Sequence, residues 1–350
     1  VTNALAPAGL LGGGAAGASA RTIGSLCTGY GGLDMAVQAA LGGTLSWVAD
    51  PDPGAAALLA HHHPDVPNLG DITVTDWARV PAVDIVCAGF PCQDISYAGR
   101  GEGIREGNRS GLWHVIADAL AVLRPGVVVL ENVAAIVGRR PGFDVVLADL
   151  ATLGFDAEWT CVRASDVGAP HRRERWFLVA AHATDLRHER DRSAWTRRSG
   201  PPDRRVHAPA DAEGDGRDEP ARQQGRPDAA IRSDPAPADA AGKGREARRE
   251  GLPGTGAVAE WGQYGPAIEQ WARILGRPVP RPTEPAPKGG QRLSPRFVEW
   301  LMGVPDGWIT NVPGLTRNQM LKLGGNGVVP QQGAAALAVL LDLFEELMSA

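Results

Sequence analysis

The chain has 350 residues, 43% of them hydrophobic, with 35 basic and 40 acidic side chains and a formal net charge of −5. That length holds two domains, or one large domain with an insert, and the apolar share supplies a sizeable core. The net charge does not advertise nucleic-acid binding, but clustering of basic residues matters more than their sum. Only three of the basic residues are lysines, Lys243, Lys288 and Lys322. The four cysteines, Cys27, Cys87, Cys92 and Cys161, form no C-x-x-C pair, which argues against a disulfide scaffold and for reduced thiols. Residues 1–20 are small and apolar without a positive start, so they are expected to be a disordered leader rather than a signal peptide. No apolar run reaches the roughly 18 residues of a membrane span.

From residue 21 to 183 the pattern alternates. Strand-like runs fall at 22–27, 45–49, 83–90, 126–132 and 175–182, with helix-like stretches at 33–41, 53–62, 111–123 and 143–153. Such alternation predicts parallel βαβ units in a doubly wound α/β sheet, with ligands beyond the carboxyl ends of the strands. Residues 184–256 are rich in arginine, aspartate, proline and glycine and nearly empty of large apolar residues. They are expected to be a disordered insert, because they bury too little apolar surface to offset chain entropy. In 261–275, Ile268, Trp271, Ile274 and Leu275 make a helical packing stripe. The C-terminal stretch reads as a glycine-rich turn and an amphipathic helix with Pro330 near its start.

The chemistry begins at "SLCTGYGGLD" (25–34), a strand running into a glycine turn and then a helix. Gly29-x-Gly31 lets backbone approach a ligand, but the third fingerprint position is Asp34, against a nicotinamide cofactor and the oxidoreductase it would serve. Asp50, at the end of the second strand, suits ribose hydroxyls. Asp71 would follow a third strand and accept from an adenine amine. The plain alternative is a tight turn with solvated acids. Cys92, in "AGFPCQDIS", follows Pro91, which restricts its loop. A thiolate in an electropositive setting is a strong nucleophile. Glu131, in "LENV", closes the next strand, where acid–base chemistry is expected. In "PHRRERWFLV", Arg173 and Arg175 would share one strand face, with Glu174 on the other. Two buried cations need anions or acceptors, so a salt-bridge cluster at the sheet end is the structural alternative. The run His61-His62-His63 does not present one face for a metal, and Cys87 suits a buried strand.

In order, "CTGYGGLD", "DIVCAGFPCQDIS", "LENV", "GAPHRRERWFLV" and "LGGNGVVP" resemble the DNA cytosine-5 methyltransferases of bacterial and phage modification systems. The resemblance covers roughly 21–183 and 291–340. It implies a Rossmann-like sheet that uses S-adenosylmethionine, with no metal, and a smaller target-recognition domain. On that resemblance, 21–183 plus 318–350 form the catalytic and cofactor-binding domain and 257–317 a small DNA-recognition region. Cys92 would attack C6 of a flipped cytosine, Glu131 would assist at N3, and Arg175, supported by Arg173, would hold the base carbonyl. Cys27, Gly29, Gly31, Gly32, Asp50, Pro51, Asp71, Ile72 and Asn326 would line the cofactor site. Gln93 and Ser96 resemble DNA-facing residues. Three positions depart from the family: Cys27 where an aromatic is frequent, Pro51 where a large apolar residue is frequent, and Gly327 where serine is common.

The resemblance implies double-stranded DNA as substrate, a cognate restriction endonuclease as a candidate partner, a monomer, and a cytoplasmic location in a bacterium or phage-infected cell, with no membrane. Two rival functions are a tRNA cytosine-5 methyltransferase and a non-catalytic DNA-binding protein on a degenerate methyltransferase fold. The joint presence of Cys92, Glu131 and Arg175 argues against the second.

Overall fold

A six-stranded sheet carries the architecture, in the order β2-β1-β3-β4-β6-β5. The computed structural model describes residues 21–91, 111–138, 142–182 and 261–347. The leader, the insert and the loop that starts at Cys92 lie outside them. The strands are β1 (Thr22–Leu26), β2 (Thr44–Ala49), β3 (Ile85–Gly89), β4 (Val127–Val133), β5 (Asp156–Arg163) and β6 (Glu174–Ala181). The helices between them are α1 (Gly32–Leu41), α2 (Pro53–His62), α3 (Leu112–Leu123) and α4 (Phe143–Thr152). Beyond the insert come α5 (Gly265–Leu275), a hairpin of β7 (Thr283–Pro285) and β8 (Gln291–Leu293), α6 (Pro295–Leu301), α7 (Arg317–Asn326) and α8 (Pro330–Leu347).

Strands β1 to β4 are parallel, as the alternation predicts. The last predicted strand departs from that rule: β6 runs antiparallel to both β4 and β5. The reason is β5, which the sequence reading missed. Its residues alternate between exposed and half-buried at the sheet edge, so it lacks the continuous apolar run that marks a buried strand. The chain reaches β6 from β5 through a short turn rather than a crossover helix, and antiparallel pairing follows.

Side-chain alternation assigns the two faces. Val128, Leu130, Trp176 and Leu178 pack with Trp113, Ile116 and Leu120 of α3 and Val146 and Leu150 of α4. Val129, Phe177 and Val179 face the other way, onto Val37 of α1 and Leu337 and Leu340 of α8. With both faces covered, the central strands read as unbroken apolar runs. The 317–344 stretch is long and apolar enough to cross a membrane by length and composition, but 67% of its 18-residue apolar segment is buried within the protein.

Local signals set the helix ends. Asp52 caps α2, its Oδ1 accepting from Gly54 N (2.8 Å) and Ala55 N (3.1 Å), with Pro53 in the first turn. Thr316 and Gln319 form a reciprocal capping box at the start of α7. The predicted stripe on α5 is a packing face, with Ile268, Trp271 and Leu275 buried. These residues, with Trp300, Met302 and Ile309, share one apolar cluster with Tyr30, Val48, Leu58 and Leu59.

Candidate active site

In the order β2-β1-β3 the chain leaves β1 toward one side and β3 toward the other. The crevice at the carboxyl ends of β1 and β3 is therefore the topological switch point, where ligands bind in open α/β sheets. The glycine turn after β1 and Pro91 after β3 both stand there. So does Glu131, whose Cα pairs with that of Gly89 across β3 and β4.

The turn from β1 into α1 needs left-handed backbone at Gly29 (φ 59°) and Gly31 (φ 83°), which glycine adopts without penalty. A Cβ at Gly29 would meet nothing within 4 Å, so this side of the turn is open. Cys27 is also left-handed, at φ 54°, and packs against the core. A non-glycine residue there stores strain of the kind found at functional sites. Asp50, at the end of β2, ties the two strand ends together. Its Oδ2 accepts from Gly29 N (2.8 Å) and its Oδ1 from Asp52 N (2.9 Å). Asn68, which sequence reasoning missed, brackets the Asp50 backbone: its Oδ1 accepts from Asp50 N (3.0 Å) and its Nδ2 donates to Asp50 O (3.1 Å). Only the "NLGD" turn chemistry hinted at it.

Pro51 and Asp71 are exposed, and Ile72 is buried in the core. The expected third strand before Asp71 is reduced to a single bridge between Val48 and Asn68. Asp71 instead caps a short turn at Ile72–Val74, accepting from Thr73 N (2.9 Å) and Thr73 Oγ1 (2.7 Å). These bonds hold its carboxyl below the usual range. Asn326 is the exposed last residue of α7. Gly32 opens α1 against Val328, so the glycine turn and the turn after Asn326 are neighbours.

Glu131 is buried near the end of β4, with Arg175 Nε 3.1 Å from its Oε1. Burial raises its pKa to about 7, against the opposing pull of Arg175 and Arg173. A carboxyl in that state exchanges a proton near neutral pH. Asn132, the next residue, donates from Nδ2 to Phe90 O (3.0 Å) and fixes the chain two residues before Cys92. Its role was visible only as the middle letter of "ENV". Cys92, Gln93 and Ser96 lie outside the described residues.

The two arginines do not share a strand face as expected. Arg175 is in β6, but Arg173 precedes it, with φ 23°. Its guanidinium donates to Gly325 O (3.0 Å) and Gly327 O. Its carbonyl accepts from Gln332 Nε2 (2.8 Å). Arg173 thus binds the turn after α7, while Arg175 binds Glu131. Glu174 points away and pairs with Arg163 at 3.3 Å. Of the other candidates, Cys87 is fully buried and donates to Asp34 Oδ1 (3.2 Å). His62 stacks on Trp308 with ring centroids 3.7 Å apart and serves packing.

The family model for C-5 cytosine-specific DNA methylases matches residues 21–340. The chain belongs to that family. Among curated relatives, the chain resembles the type II methyltransferase M.MspI of Moraxella sp., 32% identical over 157 residues, 44% of this chain and 37% of that protein. It also resembles M2.BsuMI of Bacillus subtilis strain 168, 34% identical over 163 residues, 45% of this chain and 41% of that protein. The alignments thus span less than half the length of these relatives. Among solved structures, Schizosaccharomyces pombe Dnmt2 methyltransferase matches with a TM-score of 0.52 at 14% identity, covering 93% of this chain and 99% of that one. A mutant of Spodoptera frugiperda DNMT2 matches with a TM-score of 0.52 at 15% identity, over 92% and 99% of the two chains. These two likenesses are of fold, and they agree with a Rossmann-like sheet.

Proposed function

We propose that this methylase transfers a methyl group from S-adenosylmethionine to C5 of a flipped cytosine in a specific sequence of double-stranded DNA. The observation that carries the reading is the buried Glu131–Arg175 pair at the switch point, beside the strand that leads into Cys92. When bound, the cofactor supplies an electrophilic methyl group on a sulfonium.

The open turn at Gly29, the oriented carboxylate of Asp50 and the adjacent turn after Asn326 fit an adenosyl cofactor. Gly31, Gly32, Cys27, Pro51, Asp71 and Ile72 complete the candidate lining. Cytosine C5 is a poor nucleophile until a group adds at C6. Cys92 thiolate adds there, and Glu131 in its acid form delivers a proton to N3 as electron density arrives in the ring. Arg175 keeps Glu131 oriented and reaches the base carbonyl, with Arg173 fixing the segment that precedes it. Once C5 carries the methyl group, loss of the C5 proton to solvent, expulsion of the Cys92 thiolate and return of the N3 proton to Glu131 restore the aromatic ring. C6 cannot be reached within a stacked duplex, so the base is extruded at a cost of a few kcal/mol.

Residues 257–317 are the DNA-recognition region in this reading, and the arginines of 184–256 suit phosphate contacts whose affinity falls with salt. Gln93 and Ser96 face DNA. A cytoplasmic monomer, with a cognate restriction endonuclease as a candidate partner, completes the proposal. The test is methyl transfer from tritiated S-adenosylmethionine to unmethylated DNA, with Cys92→Ala and a 5-fluorocytosine duplex alongside. Transfer lost in the variant and a covalent adduct on the fluorinated DNA are expected. Full activity of Cys92→Ala would sink the mechanism.

A further inference from the structure

Gly327 caps α7 with φ −74° and ψ 175°, extended backbone that any residue adopts. Conformation therefore does not demand glycine there. Space does: a Cβ at 327 would overlap Cε1, Cδ1 and Cζ of the Tyr30 ring. Tyr30 is fully buried, and its hydroxyl donates to Val328 O. Its carbonyl accepts from Trp308 Nε1 (2.9 Å), and Trp308 is stacked on His62. The Tyr30 hydroxyl also feels the charges of Arg173, Glu131 and Arg175. The residue lies within the glycine turn, between Gly29 and Gly31, and its ring lies against the turn after Asn326.

We infer that Tyr30 is a positioning residue, and that Gly327 is its steric partner. The ring fills the volume a side chain at 327 would take and locks the turn after α7 onto the glycine turn. Arg173 holds the same turn, through Gly325 O and Gly327 O. One ring thereby registers the two halves of the candidate cofactor site against each other and against the segment leading to Arg175. The inference rests on the cofactor reading proposed above.

The test measures S-adenosylhomocysteine binding by calorimetry, and the melting temperature of the ligand-free protein, for wild type, Gly327→Ala, Tyr30→Leu, the double variant and Tyr30→Phe. Overpacking at 327 is expected to weaken binding about tenfold or more, and removal of the ring in the double variant to recover most of that loss. Tyr30→Phe keeps the ring, loses the bond to Val328 O, and is expected to bind several-fold more weakly. Wild-type binding by Gly327→Ala would overturn the inference. So would a folded double variant no better than Gly327→Ala, or a Tyr30→Phe protein that melts lower yet binds unchanged. If Gly327→Ala does not fold, the Tyr30→Leu background decides: a loss under about threefold on adding alanine supports the pairing, and a larger loss overturns it. Failure of wild type to bind the ligand at all would remove the cofactor reading, and the inference with it. Wild-type binding without coupling would remove the inference alone.

Discussion

Arg175 Nε stands 3.1 Å from Glu131 Oε1, yet burial still lifts the Glu131 carboxyl to a pKa of about 7. The guanidinium orients the acid without holding it fully ionised at neutral pH. A proton donor at cytosine N3 needs this compromise, because an acid of ordinary pKa would already be spent. Methyl transfer at limiting substrate is therefore expected to fall as pH rises through about 7, as the acid form is lost. Glu131→Gln is expected to lose about a hundredfold or more in rate and the Glu131 limb of the profile. A pH–rate profile of both proteins decides it: a wild-type rate flat from pH 6 to 8.5, under conditions where chemistry limits, would remove Glu131 as the donor.

Asp50 joins the ends of β1 and β2 through Gly29 N. On the proposed cofactor reading, Asp50→Ala is expected to weaken S-adenosylhomocysteine binding by more than tenfold, since it removes both the proposed ribose acceptor and the bond that shapes the turn. Asp71→Ala is expected to matter less, because Asp71 caps only its own short turn through Thr73, whereas Asp50 ties the end of β2 to the glycine turn after β1. Calorimetry on the two variants ranks them, and equal losses would mean that Asp50 has no special place in the site.

Much of this site was legible in the sequence, and the reasons are physical. The strands that end at Leu26, Gly89 and Val133 are apolar runs closed by turn residues, so the positions of the glycine turn, Pro91 and Glu131 follow from period and punctuation. β5 was illegible because an edge strand with polar alternation resembles a loop. Arg173 was misplaced because its left-handed backbone shifts the strand start by one residue, and no local signal marks that shift. The Tyr30–Gly327 contact joins residues almost three hundred positions apart, and no spacing rule reaches that far.

Asp34 gives a prediction about stability. Its Oδ1 accepts from Ser25 Oγ (2.6 Å) and Cys87 Sγ (3.2 Å), while Oδ2 is buried without a partner. Burial raises its pKa to about 6, from an ordinary 3.8, despite those two bonds. The folded protein thus binds this proton more tightly than the unfolded chain. The sign follows: Asp34 reduces stability as pH rises from about 4 to about 6, and its effect is constant above that. The span is about 3 kcal/mol at 1.36 kcal/mol per unit. Asp34→Asn keeps the shape and deletes the titration. Its stability relative to wild type is expected to improve by about 2 kcal/mol between pH 4 and pH 7, read by urea unfolding at both. The Glu131 contribution is common to the two proteins and cancels. Parallel pH dependences would refute the assignment.

Glu299 holds a whole loop by its backbone. It is 1% exposed, on α6, and its carboxylate gathers three backbone donors from one loop: Gly307 N at 2.8 Å, Ile309 N at 2.7 Å and Thr310 N at 2.8 Å. Removing the acceptor strands two buried N–H groups and the half-buried one of Thr310, at about 1–3 kcal/mol each if none finds water. Partial relaxation brings the expectation for Glu299→Ala to about 3–5 kcal/mol. Glu299→Gln keeps one oxygen and is expected to cost less. The loop it holds carries Trp308, which supports the Tyr30 carbonyl and stacks on His62. Loss of Glu299 should therefore travel to the glycine turn, so Glu299→Gln, still folded, is expected to bind S-adenosylhomocysteine more weakly as well as melt lower. A lower melting temperature with unchanged binding would confine Glu299 to the stability of its own loop and break the link from α6 to the cofactor-side turn.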